Sequence, residues 1–359
     1  MQISVPKESA ARETRVGLVP ESVAKLVKSG ATVVVQKDAG LASGFTNDQY
    51  EKAGATIAGD FSSTVTTSGV TCKVQPVSVG EVGSLPSGSA VVSYWAPAGD
   101  EAALAALKAK GIKLLALERV PRITRAQSMD VLSSQATISG YKAVLLGAGA
   151  LPKLLPMLST AAGTLAPAKV FVIGAGVAGL QAIATARRLG GLVSGFDVRP
   201  AAQEQIQSLG ATLMKADVAA AEGSGGYAKE QSQDQAVATQ NAIAAHVRDI
   251  DLIITTAAIP GRKAPVLITD AAIKGMKQGS VIVDLACETG GNAEGTKPGE
   301  TVVVHGVSLI GPLNLPGTAP FHASQMFSRN ILTFLGHVLK DGVLTLDEAD
   351  EITGPMLVK

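Results

Sequence analysis

A glycine-rich turn between a Val/Ile-rich segment and a helix-like segment constrains this chain more than any other feature. Residues 169–197 read KVFVIGAGVAGLQAIATARRLGGLVSGFD, with the spacing GxGxxG at Gly174, Gly176 and Gly179. The spacing alone is widespread, but here Asp197 ends the next apolar segment, where a ribose-binding acid belongs. The arrangement predicts a doubly wound α/β unit that binds a dinucleotide.

Each residue type in this turn has a physical reason. Gly174 allows a tight turn, Gly176 lets backbone N–H groups approach a pyrophosphate, and Gly179 lets the helix pack closely on the strand. The helix N-terminus adds partial positive charge. Asp197 would accept hydrogen bonds from the adenosine ribose and repel a 2′-phosphate, which favours NAD(H), although Arg199 nearby leaves NADP(H) open. The alternative is a glycine-rich turn without a ligand.

Length, charge and hydropathy limit the class of protein. A chain of 359 residues exceeds one comfortable core and predicts two domains. Lys and Arg (31) nearly cancel Asp and Glu (30), which argues against nucleic-acid partners. Mean hydropathy is +0.28, but the longest apolar region, 154–168, is too short and too rich in proline to span a bilayer. We therefore expect a cytoplasmic chain without a signal peptide and without direct membrane insertion.

The first third of the chain alternates strand-like and helix-like segments, which predicts a mostly parallel sheet. The predicted strands are Ile3–Val5, Thr32–Gln36, Val70–Val74, Ala90–Tyr94 and Lys113–Ala116, and the predicted helices are Glu21–Ser29, Asn47–Ala53 and Asp100–Lys110. Residues 128–146 lack proline and have helical apolar spacing, so we expect one long helix that bridges to the second domain, although Gly140 interrupts the pattern.

The second domain repeats the alternation, with predicted strands at Lys169–Ile173, Leu192–Phe196, Asp251–Thr255 and Ser280–Asp284. Residues 216–240 are small, polar and contain glycines, which predicts a functional or disordered loop. The helix-like segment Phe321–Leu339 is expected to return to the first domain. The expected fold is therefore α/β, with two Rossmann-like domains (1–133 plus 321–359, and 134–320), parallel sheets, a long connecting helix and a cleft between the domains.

The sequence contains few groups that could catalyse proton transfer. His246 and His337 lie in helix-like segments, His305 follows a strand-like segment, and His322 opens the last helix-like segment; none has a recognisable relay partner. The motifs HExxH and GxSxG and a phosphate-binding P-loop do not occur, and no ligand set for a metal is evident. Cys72 and Cys287 lie far apart and are expected to be free, buried thiols.

Five segments carry a resemblance that covers essentially the whole chain: VPKESAARETRVGLVPESV, RAQSMDVLSSQA, VIGAGVAGLQAIATARRLG, TTAAIPGRKAPVLIT and MKQGSVIVDLACETGGN. The chain resembles the soluble NAD(H)-binding alpha, or domain I, subunit of proton-translocating NAD(P) transhydrogenase, which is related to alanine dehydrogenase. RAQSMD followed by SSQA is the most specific of these segments. The resemblance implies hydride transfer from NADH to NADP⁺ bound on a partner subunit, coupled to proton translocation.

Alanine dehydrogenase is the alternative within this superfamily, and a non-catalytic NAD-binding module is the alternative outside it. The alanine dehydrogenase family has a substrate-binding Lys in a KVKEP-like stretch, where this chain has Gln75, and a catalytic His where it has Ala96. Arg15 matches that family's carboxylate-binding Arg without those two partners. Because imine reduction needs an acid/base group, amino-acid dehydrogenation is not expected.

The resemblance also implies the site residues. Gln127 would align the two nicotinamide rings, and Arg122, Asp130 and Ser133 would bond the nicotinamide and its ribose; from spacing alone, Asp130 and Ser133 equally fit a solvent-facing helix. The further nucleotide contacts expected are Ser128, Met129, Val177, Val198, Arg199 and Ala258, with Gly226 and Tyr227 in a mobile loop that closes over the nucleotide. The implied partners are NADP(H)-binding and membrane-spanning subunits, and the implied assembly is a homodimer peripheral to the inner membrane.

Overall fold

The computed structural model describes residues 1–96, 98–216, 232–258, 262–340 and 342–358. It divides into unit 1, residues 1–135 with 316–359, and unit 2, residues 136–315.

Unit 1 is built on a six-stranded parallel sheet in the order β3-β2-β1-β4-β5-β6. Its strands β1–β6 are Gln2–Val5, Thr32–Gln36, Thr56–Ala58, Val70–Cys72, Ala90–Ser93 and Lys113–Ala116, and its helices α1–α5 are Pro20–Lys28, Asn47–Lys52, Phe61–Val65, Val79–Ser84 and Glu101–Ala109. The central strands are almost wholly buried, because helices cover both faces of the sheet. The predicted strand Val70–Val74 is shorter than expected and ends at Cys72.

Helix α6, Val131–Ala150, replaces the predicted helix at 128–146 and begins three residues later. Residues Thr124–Met129 form a 3₁₀ helix instead. Asp130 separates the two helices, because its carboxylate accepts a hydrogen bond from the Ser133 N–H at 2.9 Å and so caps the start of α6. Position 140 of α6 requires glycine, because a Cβ there would lie only 2.0 Å from the Ala178 carbonyl oxygen and would clash with it.

Unit 2 contains a seven-stranded sheet in the order β11-β10-β9-β12-β13-β15-β14, in which only the edge strand β14 is antiparallel among the described residues. Strands β7–β15 are Leu158–Thr160, Gly163–Leu165, Lys169–Ile173, Leu192–Phe196, Thr212–Leu213, Leu252–Thr255, Val281–Asp284, Thr301–Val304 and Val307–Ile310, with β7 and β8 forming a separate hairpin. Helices α7–α10 are Val177–Arg188, Pro200–Ser208, Gln233–Val247 and Asp270–Lys274.

The loop predicted at 216–240 is wrong at its C-terminal end, because helix α9 begins at Gln233. Ser232 and Gln235 form a capping box, in which each side chain bonds the backbone of the other residue. This reciprocal cap starts the helix within the polar part of the segment, before its buried residues Thr239, Ile243 and Val247. Residues 217–231 of the predicted loop lie outside the described residues.

The chain returns to unit 1 through α11, Pro320–Val338, as predicted for Phe321–Leu339. A short hairpin follows, with strands β16 and β17 at Leu339–Lys340 and Val343–Leu344, and then helix α12, Thr353–Met356. Phe327, Ile331 and Phe334 of α11 are fully buried in the unit 1 core. Val358 donates a backbone hydrogen bond to Leu114, which ties this last segment to edge strand β6. The expected α/β architecture with two doubly wound, largely parallel sheets is confirmed.

Candidate nucleotide site

The strand order of unit 2 reverses between β9 and β12, which is where ligands bind in open parallel sheets. Gly174 follows β9 with φ +91°, in the left-handed region that favours glycine. A Cβ at this position would lie 2.6 Å from Thr256 Oγ1, which follows β12 and donates to the Gly174 carbonyl at 2.9 Å. The tight turn predicted at Gly174 is therefore confirmed, and a threonine that follows the neighbouring strand holds it.

Gly176 and Gly179 differ in what surrounds them. A Cβ at Gly179 would lie 1.8 Å from the Gly174 carbonyl oxygen, so helix α7 can pack on β9 only with glycine there, as predicted. Gly176 is exposed and precedes α7, and a Cβ there would meet no described atom within 4 Å. Among the described residues, the N-terminus of α7, a helix of 12 residues, thus has room beside Gly176, as phosphate binding requires.

Asp197 follows the end of β10, and the residue is 6% exposed. Its Oδ2 accepts hydrogen bonds from Ala175 N at 2.7 Å and Arg199 Nη2 at 2.8 Å, and its Oδ1 accepts from Arg199 N and Nε, both at 2.9 Å. Burial opposes ionisation, but the bonds from Arg199 and from the Ala175 backbone outweigh it and lower the pKa of Asp197. An ionised acceptor therefore stands beside the glycine turn.

Three further residues shape this end of the sheet and were missed from the sequence. Asn292 is fully buried, donates to the Ala257 carbonyl at 2.8 Å and accepts from Ala257 N at 3.0 Å. Asp284, at the end of β13, accepts from Asn292 N at 2.7 Å and from Thr255 Oγ1 at 2.9 Å. Together with Thr256 they fix the segment after β12. The position of Asp284 at a strand end was the available signal.

The other predicted contacts of unit 2 lie near the same edge of the sheet. Val177 is exposed in the first turn of α7, Val198 is partly buried against the core, and Ala258 is exposed after β12. Gly226 and Tyr227 lie outside the described residues.

The RAQSMD segment of unit 1 presents some predicted residues to solvent and buries others. Arg122, Gln127 and Ser128 are exposed, with Gln127 and Ser128 on the 3₁₀ helix Thr124–Met129. Met129 is 5% exposed and its side chain packs in the core of unit 1, and its contact with a nucleotide stays a prediction. Asp130 accepts from Ser133 Oγ at 2.6 Å, so this predicted pair is also a helix cap.

Two groups of contacts within unit 1 hold this segment. Asn330 of α11, 7% exposed, donates from Nδ2 to the Ser128 carbonyl at 2.8 Å and accepts from Ser134 Oγ at 2.7 Å. Arg125 pairs with Glu351 at 2.5 Å and with Asp350 at 3.5 Å, near the C-terminal residues. The 3₁₀ helix is thus fixed from both sides by residues that follow the return of the chain to unit 1.

The switch point of unit 1, between β1 and β4, is occupied by its own charged and polar side chains. Arg15 is 4% exposed and donates to both oxygens of Glu13, from Nε at 2.8 Å and Nη2 at 2.7 Å. Its third nitrogen, Nη1, donates to Gln135 Oε1 at 2.9 Å. Gln75 donates to Glu13 Oε2 at 2.7 Å. A substrate carboxylate would have to compete with Glu13 for the arginine, and Gln75 offers it no positive charge.

A second buried cluster adjoins the first. Lys73 Nζ is 2.8 Å from Glu81 and 4.0 Å from Glu8, whose carboxylate also accepts from Val74 N at 2.6 Å. Burial raises the pKa of Glu8 to about 7, against the lowering effects of Lys73 and the Val74 N–H. Lys73 is therefore held by internal carboxylates and does not serve as an open binding group.

Each of the four histidines contacts another side chain of the protein. His246 bonds Ser194 Oγ at 2.9 Å and contacts the Phe171 ring, and burial lowers its pKa. The remaining three contact Asp270 (His305), Asp350 (His337) and the Phe321 ring (His322). Cys72 and Cys287 are free and buried, as predicted.

Among the residues that the structure describes, no three His, Cys, Asp or Glu side chains form a group that could hold a metal ion. Within those same residues, no helix combines the length and the apolar character needed to cross a membrane.

These features define a nucleotide-binding α/β protein with two doubly wound units, one carrying the glycine turn and its acid, the other filled by internal ion pairs. Models of the family described as alanine dehydrogenase/PNT match it over two ranges, the N-terminal domain over residues 4–139 and the C-terminal domain over residues 143–359. The chain belongs to the alanine dehydrogenase/PNT family.

Known proteins similar to the chain place it on the transhydrogenase side of that family. The NAD(P) transhydrogenase alpha subunit of Rickettsia prowazekii, in the form of its first polypeptide, is 41% identical over 100% of this chain and 94% of the relative. The corresponding polypeptide of Rhodospirillum rubrum is 44% identical, over 95% and 91%. A solved transhydrogenase structure from Sinorhizobium meliloti superimposes with a TM-score of 0.90 at 44% identity, covering 99% of this chain and 98% of that one. The chain is an oxidoreductase component homologous to these alpha subunits.

Proposed function

We propose that this chain is the NAD(H)-binding component of a proton-translocating NAD(P) transhydrogenase. Hydride passes directly from NADH on this chain to NADP⁺ on a partner subunit, and a membrane-spanning subunit couples the transfer to proton translocation. The Rhodospirillum and Rickettsia relatives are named as one portion of an alpha subunit, which supports the existence of partner subunits. We further propose a homodimer that reaches the membrane only through those partners.

The hydrogen bonds that join Glu13 to Arg15 and Gln75 are the observation that favours a transhydrogenase over an alanine dehydrogenase. An amino-acid dehydrogenase must anchor a substrate carboxylate and move a proton at the reacting nitrogen or carbon. Here Glu13 occupies two nitrogens of Arg15, Gln135 occupies the third, and Gln75 bonds Glu13. Direct hydride transfer between two nicotinamides moves no proton, so it needs neither group.

In this proposal the chain's residues bind and align the nucleotide without acting as acids or bases. The N–H groups beside Gly176 face the pyrophosphate, and Asp197 accepts bonds from the adenosine ribose. Arg122, Asp130 and Ser133 bond the nicotinamide end, with Ser128 and the Met129 backbone beside them. Gln127 sets the distance and angle between the two rings, because transfer requires a near-attack geometry.

The test uses the isolated chain. It should bind NADH, shown by a change in nucleotide fluorescence, and should not oxidise NADH when given pyruvate and ammonium. Mixed with an NADP(H)-binding partner domain, it should transfer hydride from NADH to NADP⁺. Reductive amination by the chain alone would contradict the proposal. Tight NADH binding without transfer in the mixture would favour the alternative of a non-catalytic binding module.

A further inference from the structure

The carboxylate of Asp197 is saturated by hydrogen bonds from the protein itself. A carboxylate offers about four acceptor positions on its two oxygens. Two donors reach each oxygen: Arg199 N and Nε bond Oδ1, while Ala175 N and Arg199 Nη2 bond Oδ2. Adenosine ribose hydroxyls therefore cannot bond this carboxylate without displacing a donor that is already there.

The four donors are of two kinds. Ala175 N belongs to the turn between β9 and α7, and Arg199 N belongs to the residue before α8, so the backbone fixes both. Gln203 Nε2 adds a bond to the Asp197 carbonyl at 2.9 Å and holds the same segment. The other two donors are Nε and Nη2 of the Arg199 side chain, which is 17% exposed and, unlike the two backbone donors, is attached through rotatable bonds. The two side-chain donors are thus replaceable, and the two hydroxyl groups of a ribose can supply two donors in their place.

We propose that Arg199 is an exchangeable internal ligand of Asp197, whose Nε–H and Nη2–H are replaced by the 2′- and 3′-hydroxyls of the adenosine ribose. The inference rests on the proposed NAD(H) site and assigns this arginine the role of competitor at its ribose end. The guanidinium pairs with both oxygens of a buried carboxylate, so its displacement costs binding free energy that the hydroxyls only partly return. Arg199 therefore weakens nucleotide binding and favours release of the nucleotide after the reaction.

The exchange distinguishes ligands by their hydroxyls. Adenosine carries the diol without a phosphate, whereas 2′,3′-dideoxyadenosine has the same base and no hydroxyl that could replace the guanidinium. Only the affinity for adenosine is therefore expected to depend on Arg199. The uncharged probes also remove the general effect of losing one positive charge on the binding of anionic phosphates.

The experiment compares the whole chain with its Arg199→Met and Arg199→Lys variants, and measures dissociation constants for NADH and for both nucleosides by titration calorimetry or NMR. Arg199→Met should bind adenosine and NADH about 5- to 10-fold more tightly, with dideoxyadenosine unchanged. Arg199→Lys, which keeps the charge and one donor group, should gain less. Arg188→Met, which removes an exposed charge from α7, should leave adenosine binding unchanged.

Weaker or unchanged adenosine binding in Arg199→Met would overturn the exchange, and so would equal gains for both nucleosides. If Arg199→Met does not fold, Arg199→Lys tests the exchange in the same way. Its affinity for adenosine should rise relative to its affinity for dideoxyadenosine. Failure of the unaltered chain to bind NADH would instead refute the proposed function. The two failures are therefore distinguishable.

Discussion

Asn330 Nδ2 donates a hydrogen bond of 2.8 Å to the carbonyl of Ser128, which follows Gln127 in the partly exposed 3₁₀ helix. The same amide accepts from Ser134 Oγ at 2.7 Å, in the first turn of α6. One buried side chain from α11 thus joins the 3₁₀ helix to the helix that follows it. It fixes the backbone on which Gln127 stands, although it lies far away in sequence.

Replacing Asn330 by Ala should slow hydride transfer by about 10-fold and weaken NADH binding less. Each buried hydrogen bond left unmade costs about 1–3 kcal/mol, so the segment should move or fray while the glycine turn of unit 2 is untouched. Asn330→Asp keeps the acceptor for Ser134 and loses the donor to Ser128, so a comparable loss there would assign the effect to the Ser128 carbonyl. Thr333→Ala, on the same helix with its hydroxyl bonded to Arg329, is the control. Equal losses in transfer and in NADH affinity would contradict a positioning role.

Gln127→Asn should reduce hydride transfer to NADP⁺ by more than about 10-fold and leave the NADH dissociation constant within about 2-fold. Shortening an exposed side chain by one methylene removes the alignment of the rings, and a small misplacement can cost about 100-fold in rate. Stopped-flow absorbance with the partner domain gives the transfer rate, and fluorescence titration gives the affinity. A large loss of NADH affinity would show that Gln127 contributes to nucleotide binding and not only to the alignment of the rings.

The strands and the glycine turn could be predicted well from the sequence because local patterns decide them. Gly174 and Gly179 could be assigned their roles from spacing, since a positive φ and a helix packed directly on a strand demand glycine at those positions. The start of α6 was placed wrongly, and the burial of Met129 was not foreseen, for a different reason. The burial of Met129 and the cap at Asp130 depend on the packing of unit 1, which the local pattern does not contain.

Contacts between distant segments escaped prediction altogether. Asn292, Asp284 and Asn330 each make at least two hydrogen bonds, and their partners include Ala257, Thr255 and Ser128, which are distant in the sequence. Arg199 illustrates the limit within one site. Its closeness to Asp197 suggested a choice between NAD(H) and NADP(H), whereas the structure shows the two side chains bonded to each other. Sequence spacing places residues together without stating which atoms bond.

Replacing Gly176 and Gly179 by Ala, one at a time, should separate an effect on NADH binding from an effect on the stability of the fold. A Cβ at Gly179 would clash with the backbone of Gly174, so Gly179→Ala should lower the unfolding free energy by about 3 kcal/mol or more. Gly176 has negative φ, and a Cβ there would meet no described atom within 4 Å, so Gly176→Ala should keep the melting temperature and weaken NADH binding by obstructing approach of the pyrophosphate. Calorimetry and NADH titration measure the two effects. Unaltered NADH affinity in Gly176→Ala would contradict a phosphate site at this turn.

Glu8 should give the stability of the chain a distinct pH dependence. Burial raises the pKa of Glu8 from 4.5 to about 7, so between these values the folded chain holds a proton that the unfolded chain has released. The unfolding free energy should therefore fall as pH rises from 4.5 to 7, by up to about 3 kcal/mol from this group. Below that range the proton is bound in both states, and above it both states are ionised.

In Glu8→Gln this contribution to the pH dependence should be missing, so that the variant gains stability relative to the unaltered chain as pH rises through the same range. Urea unfolding at a series of pH values measures the difference. Glu51→Gln, which removes an exposed carboxylate from the same unit, is the control and should leave the profile nearly parallel to that of the unaltered chain. Lys73 and Glu13 also influence the group, but neither is changed in these variants. A constant difference between Glu8→Gln and the unaltered chain across the range would show that Glu8 is already ionised in the folded chain at its acidic end.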